Sequence, residues 1–127
     1  MKLRIKGNSL RLRVSRSELA QFLAGYRVEE TIHLTPSTEA RLTYALESTS
    51  SATEVGVRYV PQEITVFLPE VLMQAWSEES EIGVYASIDI GNAKTLEVSI
   101  EKDFACLDGS DEENLDTFVN PQAARAC

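Results

Sequence analysis

The stretch Lys2-Leu3-Arg4-Ile5-Lys6-Gly7-Asn8-Ser9-Leu10-Arg11-Leu12-Arg13-Val14-Ser15 decides the fold. Leu3, Ile5, Leu10, Leu12 and Val14 share one phase of a two-residue period, and Lys2, Arg4, Lys6, Arg11 and Arg13 share the other. Strict alternation predicts strands over 2–6 and 10–14, and Gly7-Asn8 between them is hairpin chemistry, because both residues tolerate positive φ. A helix follows. Ser15 is placed as its N-cap with Glu18 three residues on, the spacing of a capping box, while Val14 and Leu19 occupy the hydrophobic-staple positions. Gly25 ends it after about nine residues, at the position of a left-handed cap.

Working outward, two more alternating runs cover 28–34 and 42–46, joined by Thr35-Pro36-Ser37-Thr38. A Ser/Thr-rich linker at 49–54 separates this unit from a second one. In the second, Pro61-Gln62 makes the first turn, Pro69 opens a helix containing Leu72, Met73 and Trp76, and Gly91-Asn92 joins strands over 82–88 and 96–100. Residues 1–48 and 55–102 align without a gap at an offset of 54. Of fourteen inward-phase pairs, from Leu3/Val57 to Leu46/Ile100, thirteen are apolar in both copies; Glu30, opposite Val84, is the exception. Identities are few (Arg4/Arg58, Leu42/Leu96, Glu47/Glu101), so the repeat lives in pattern. The expected fold is α+β, mostly β. Two ββαββ repeats would interleave as a swapped-hairpin β-barrel, an intramolecular pseudo-dimer that needs no second chain. A single domain would span 1–103, with an acidic tail over 104–127.

A chain of 127 residues with 43% apolar content is long enough to bury one core without a metal or disulfide. No apolar run approaches the roughly 18 residues of a membrane span. The N-terminus has no apolar signal-peptide core, so a soluble, cytoplasmic protein is expected. Cys106 and Cys127 are near no ligand pattern and read as reduced thiols. The net charge of −8 is uneven: residues 1–27 carry +6, which leaves −14 on the remainder. Lys2, Arg4, Lys6, Arg11, Arg13 and Arg16 therefore read as a phosphate-binding face on an acidic body, or as a solvated outer sheet face. Aromatic residues are absent from this hairpin, which argues against single-strand stacking.

At Gly7-Asn8-Ser9 and Arg13-Val14-Ser15 the first copy resembles the swapped-hairpin domain of AbrB/MazE-type regulators and antitoxins. In those proteins two chains interlock through a hairpin, a short helix and a second hairpin. The resemblance covers 1–48 directly and reaches 55–102 through the repeat, where Phe67-Leu68-Pro69 keeps a proline but lacks the arginine. It implies duplex DNA binding, with Arg4, Asn8, Arg13 and Arg58 at the family's contacting positions. Lys6, Arg11 and Arg16 extend that site. In the second copy Arg13 becomes Phe67, Lys6 becomes Val60 and Arg11 becomes Thr65. One basic half and one nearly neutral half would therefore face the ligand. The whole chain also resembles an uncharacterised bacterial family that ends in Glu-Lys-Asp-Phe-x-Cys-Leu.

The segment 103–120 mixes acidic residues with Phe104, Leu107, Leu115 and Phe118. It reads as a loosely held tail, as a strap over the chain's own basic hairpin, or, by the antitoxin resemblance, as a segment that covers a toxin-like partner. The run at 108–113 lacks the glycine and spacing of a calcium loop. A single histidine, His33, on an outward phase, excludes histidine-rich metal sites and most triads. Trp76 matches Phe22 and belongs to the core, and Tyr85 falls on an outward phase. No phosphate loop, nucleophile elbow or recognisable carboxylate pair is present. The expectation is a monomeric binding protein, not an enzyme, without cofactor, metal or membrane, whose partner is duplex DNA or an acidic protein.

Overall fold

The structure is a computed structural model, and it describes residues 1–105 and 115–119. Eight strands and two helices follow one another as β1 (Lys2–Lys6), β2 (Ser9–Val14), α1 (Arg16–Leu23), β3 (Val28–His33), β4 (Arg41–Thr49), β5 (Gly56–Val60), β6 (Glu63–Pro69), α2 (Glu70–Trp76), β7 (Gly83–Gly91) and β8 (Lys94–Lys102). The first hairpin closes at Gly7-Asn8 as its sequence predicts. Only Gly7 takes a positive φ, +55°, as a two-residue turn with glycine in its first central position requires. The Pro61-Gln62 turn instead places Gln62 at φ +71°, so the two hairpins use different turns.

Helix α1 begins with the expected capping box. Ser15 accepts from the Glu18 backbone N–H, and the Glu18 carboxylate accepts from the Ser15 N–H. It ends at Gly25, φ +97°, after eight residues. Pro69 precedes α2 as its N-cap with φ −58°, one position earlier than a first-turn proline, and no side chain caps that helix.

The strands form two four-stranded sheets, ordered β1-β2-β8-β7 and β3-β4-β6-β5. They do not form the single closed barrel that the sequence led us to expect. Each sheet keeps two edges: β1 and β7 in the first, β3 and β5 in the second. We attribute the open edges to the helices. Phe22 of α1 and Trp76 of α2 lie fully buried, edge to face at 6.5 Å, in one core with Leu12, Val14 and Ile100 of the first sheet and Leu46, Val66 and Leu68 of the second. Side chains of this bulk between the sheets keep the edge strands out of hydrogen-bonding reach. Trp76 also donates from Nε1 to the Ile82 carbonyl at 3.1 Å.

Within each sheet an early hairpin meets a late one through a parallel pair. Leu10 lies beside Val98 and Leu12 beside Ile100 in the β2·β8 pair; Tyr44 lies beside Ile64 and Leu46 beside Val66 in the β4·β6 pair. Adding 54 to the first member and subtracting 54 from the second converts each pair of one list into a pair of the other. The outer hairpins depart from that relation. Val28 opposes Leu46, but Val84, not Ile82, opposes Ile100. A shift of two residues keeps the parity of facing.

Alternation overstates coverage. Ile5, Ile32, Leu34 and Tyr59 lie on inward phases, yet Ile5 is 59% exposed and Tyr59 72%. Ile5, Ile32 and Tyr59 sit toward the turn ends of edge strands β1, β3 and β5, and Leu34 lies just beyond β3.

Candidate functional site

The outer face of the first sheet gathers the basic residues. Cross-strand register places Lys2 opposite Arg13, Arg4 opposite Arg11 and Lys6 opposite Ser9. The parallel pair then sets Ser9 beside Glu97, Arg11 beside Ser99 and Arg13 beside Glu101. The cations of β1 and β2 thus continue sideways into the hydroxyls and carboxylates of β8.

Those carboxylates neutralise part of the face. Lys2 Nζ lies 2.8 Å from Asp103 Oδ2. Arg11 Nε donates to Glu101 Oε1, whose other oxygen accepts from the Tyr85 hydroxyl. The Glu101 side chain is only 7% exposed. Arg4 and Lys6 remain exposed and make no ion pair among the described residues. The buried Nε of Arg13 likewise has no hydrogen-bond partner among them. Arg4, Lys6, Ser9, Leu10, Arg11 and Ser99 line a shallow depression of about 240 Å³.

The other expected contact residues lie elsewhere. Asn8, exposed in the β1–β2 turn, is tied to β8: its Nδ2 donates to the Thr95 carbonyl at 2.7 Å, and its own carbonyl accepts from the Glu97 N–H at 3.1 Å. Arg16 stands over the Phe118 ring, 5.9 Å from its centre. Arg58 belongs to the second sheet, where it stacks on Phe67 at 5.3 Å and lies 3.7 Å from Glu63. Arg4, Lys6, Arg11 and Arg13 are thus brought together, whereas Asn8, Arg16 and Arg58, though exposed, lie apart from them and make contacts within the chain.

On the second sheet the corresponding face is balanced. Arg27 reaches Glu29 at 2.9 Å, Glu47 at 3.5 Å and Glu63 at 2.5 Å. The Arg27 guanidinium, helped by the Thr65 hydroxyl, holds the Glu63 carboxyl below its ordinary range. Glu47 and Glu101, matched by the 54-residue offset, each pair with an arginine.

The end of β8 carries three consecutive buried charges, Glu101, Lys102 and Asp103. Burial pushes the Lys102 ammonium down from its ordinary pKa, and the group donates to the Glu78 carbonyl at 2.6 Å. Alternation alone hinted at this. Lys102 continues the inward phase of Val98 and Ile100, a misplaced charge of the same kind as Glu30. Glu30 itself lies 3.2 Å from the Met1 ammonium, which also binds Glu18.

Residues 115–119 return to the domain. Phe118 exchanges backbone hydrogen bonds with Asp103 and Ala105, meets Phe104 at 6.1 Å and packs beside the core. Lys102 Nζ approaches its ring to 5.7 Å. The Asp116 carboxylate caps α1, accepting from the Ser17 N–H at 3.0 Å and from the Ser17 hydroxyl. That hydroxyl holds the Asp116 carboxyl below its ordinary value. The described part of the tail therefore covers the β2–α1 junction and Arg16, not Arg4 and Lys6. Phe104 and Phe118 face each other, Leu115 is 71% exposed, and Leu107 lies outside the described residues, as do both cysteines and the acidic run at 108–113.

Among the described residues no cluster of His, Cys, Asp or Glu is arranged to hold a metal ion, and no helix is long and apolar enough to cross a membrane. A family model described as a family of unknown function (DUF7009) matches residues 1–122. No curated protein and no solved structure matches the chain.

Proposed function

Given that the chain belongs to the DUF7009 family, we propose that it is a small regulatory protein that binds rather than catalyses, using the β1–β2 face to engage duplex DNA phosphate or an acidic protein surface. The observation that carries this reading is the pair Arg4 and Lys6, exposed and without ion pairs among the described residues, backed by Arg11 and Arg13. Adjacent like charges repel, and an anion relieves that repulsion. The AbrB/MazE-like swapped-hairpin relation is part of the same proposal. It is supported by the order of elements and by parallel pairs that interconvert at one offset. In that reading one chain does the work of two, and only its first hairpin keeps the binding chemistry.

Fluorescence anisotropy with a labelled duplex tests the DNA version. Binding is expected at about 50 mM salt and should fall steeply by about 200 mM, because phosphate contacts release counterions. Absence of binding at the lower salt removes the DNA reading. Binding of polyglutamate instead would leave a protein-interaction module, the second reading. That reading is favoured by the paired Arg58, which leaves the second hairpin no free cation among the described residues. An antitoxin-like use of the tail would rest on Leu115 and on release of Phe104 and Phe118 from their mutual contact.

A further inference from the structure

We infer that the depression on the first sheet is a seat for one phosphate monoester dianion, with Arg11 aimed into it by a buried Glu101 and with Ser99 as an additional donor. The inference rests on the binding reading above and narrows it to a chemical class of ligand.

The seat is built across the two halves of the chain. Strands β1 and β2 supply Arg4, Lys6, Ser9 and Arg11, and β8 supplies Ser99. Behind it, the Glu101 carboxylate holds Arg11 by Nε and is itself held by the Tyr85 hydroxyl. Anchoring a guanidinium by Nε leaves its two terminal nitrogens as a fork, the geometry suited to two oxygens of one phosphate. Room for the carboxylate comes from Gly83, which lies directly opposite Glu101. A Cβ at Gly83 would meet the Ile100 carbonyl at 2.7 Å and Glu101 Cγ at 2.8 Å.

Size and charge narrow the ligand. At about 240 Å³ the depression is smaller than the roughly 300–1,000 Å³ of ordinary small-molecule pockets, so it suits a charged group rather than a whole metabolite. The three lining cations and the one carboxylate that anchors Arg11 leave two positive charges. The next carboxylate, Glu97, stands beside Ser9 but does not line the depression, and it accepts from the hydroxyls of Ser87 and Thr95. Two positive charges match a monoester, which carries about −1.5 to −2 near neutral pH, better than a diester or a carboxylate at −1.

The test is a titration of the full chain, followed by amide chemical shifts, with phenyl phosphate, dimethyl phosphate and inorganic phosphate at matched ionic strength. Phenyl phosphate should saturate shifts at Ser9, Leu10, Arg11 and Ser99, and should bind more weakly at about pH 5 than at about pH 7, because its second ionisation lies near pH 6. Ser99→Ala should weaken it about tenfold, the scale of a hydrogen bond to a charged group. Glu101→Gln discriminates sharply. It removes a negative charge, so net charge alone predicts tighter binding, whereas a positioning role predicts weaker binding. Tyr85→Phe, which leaves the charge unchanged, should also weaken binding and serves if Glu101→Gln fails to fold. Inorganic phosphate binding as tightly as phenyl phosphate would identify free phosphate as sufficient; tighter phenyl phosphate would indicate a phosphate carried by a larger group. Equal shifts with dimethyl phosphate, no saturable shift, or tighter binding by Glu101→Gln would overturn the inference. Duplex binding that survives alongside such a result would leave the broader polyanion reading standing.

Discussion

Hairpins β1–β2 and β5–β6 share a pairing register residue for residue and differ in nearly everything they show to solvent. Leu3 opposes Leu12 in one and Val57 opposes Val66 in the other; Arg4 opposes Arg11 where Arg58 opposes Thr65. The inner positions of both feed one core, so their apolar character is constrained twice over. The outer positions answer to different demands: a cluster of cations on one hairpin, and a single arginine tied to Phe67 and Glu63 on the other. Architecture is therefore carried by the inner phase, and the proposed binding chemistry would be carried by the outer phase. Cations on edge strand β1 also discourage edge-to-edge pairing with other chains, a structural benefit independent of any ligand.

The largest expected effect tests the shared half of this comparison. Phe22→Ala and Trp76→Ala should each cost about 3–5 kcal/mol in urea unfolding, because each leaves a cavity at the contact between the helices. If only one of them destabilised the chain, the two halves would not share a core.

Acid should weaken the start of α1 and the second sheet through separate carboxyls. The folded pKa of Asp116 is lowered chiefly by the Ser17 hydroxyl, and that of Glu63 chiefly by Arg27. A lowered folded pKa means that the contribution is complete above the ordinary carboxylate value, about 4, and is lost as pH falls through the folded value. Urea midpoints should therefore drop from about pH 6 to about pH 3, and drop less in Ser17→Ala and Arg27→Ala. Equal drops in all three proteins would show that these contacts do not form. Asp116→Ala should also speed hydrogen exchange at the Ser17 amide, with no matching change in α2, which has no such cap.

A smaller effect separates the first turn from the start of β5. Gly7→Ala forces an alanine to φ +55° and should cost about 1 kcal/mol. The same change at Gly56, in β5, should cost less, since no positive φ is required and nothing lies within 4 Å of its added Cβ.

Much of the fold was legible from residues 2–15 alone, because hairpin, cap and helix are local devices whose signals lie within a few positions. Sheet closure was not legible. Alternation reports a side chain's phase, not whether anything lies above it, and so Ile5 and Tyr59 fall on the inward phase yet are exposed. The candidate site was half legible. Arg4, Lys6, Arg11 and Arg13 announced themselves as a cluster. Glu101 and Ser99 did not, because the parallel β2·β8 pair joins segments about ninety positions apart and no local pattern encodes that register. Asp116 escaped for the same reason, as a cap supplied from the far end of the chain.

The asymmetry between the two hairpins is tested most directly by the salt dependence of polyanion binding in Arg4→Ala/Lys6→Ala beside Arg58→Ala. The first variant should lower the log–log slope for duplex binding by about 0.9 per cation removed, while Arg58→Ala leaves slope and affinity as they were. Equal losses in both variants, or a loss confined to Arg58→Ala, would contradict the assignment of binding to the first hairpin.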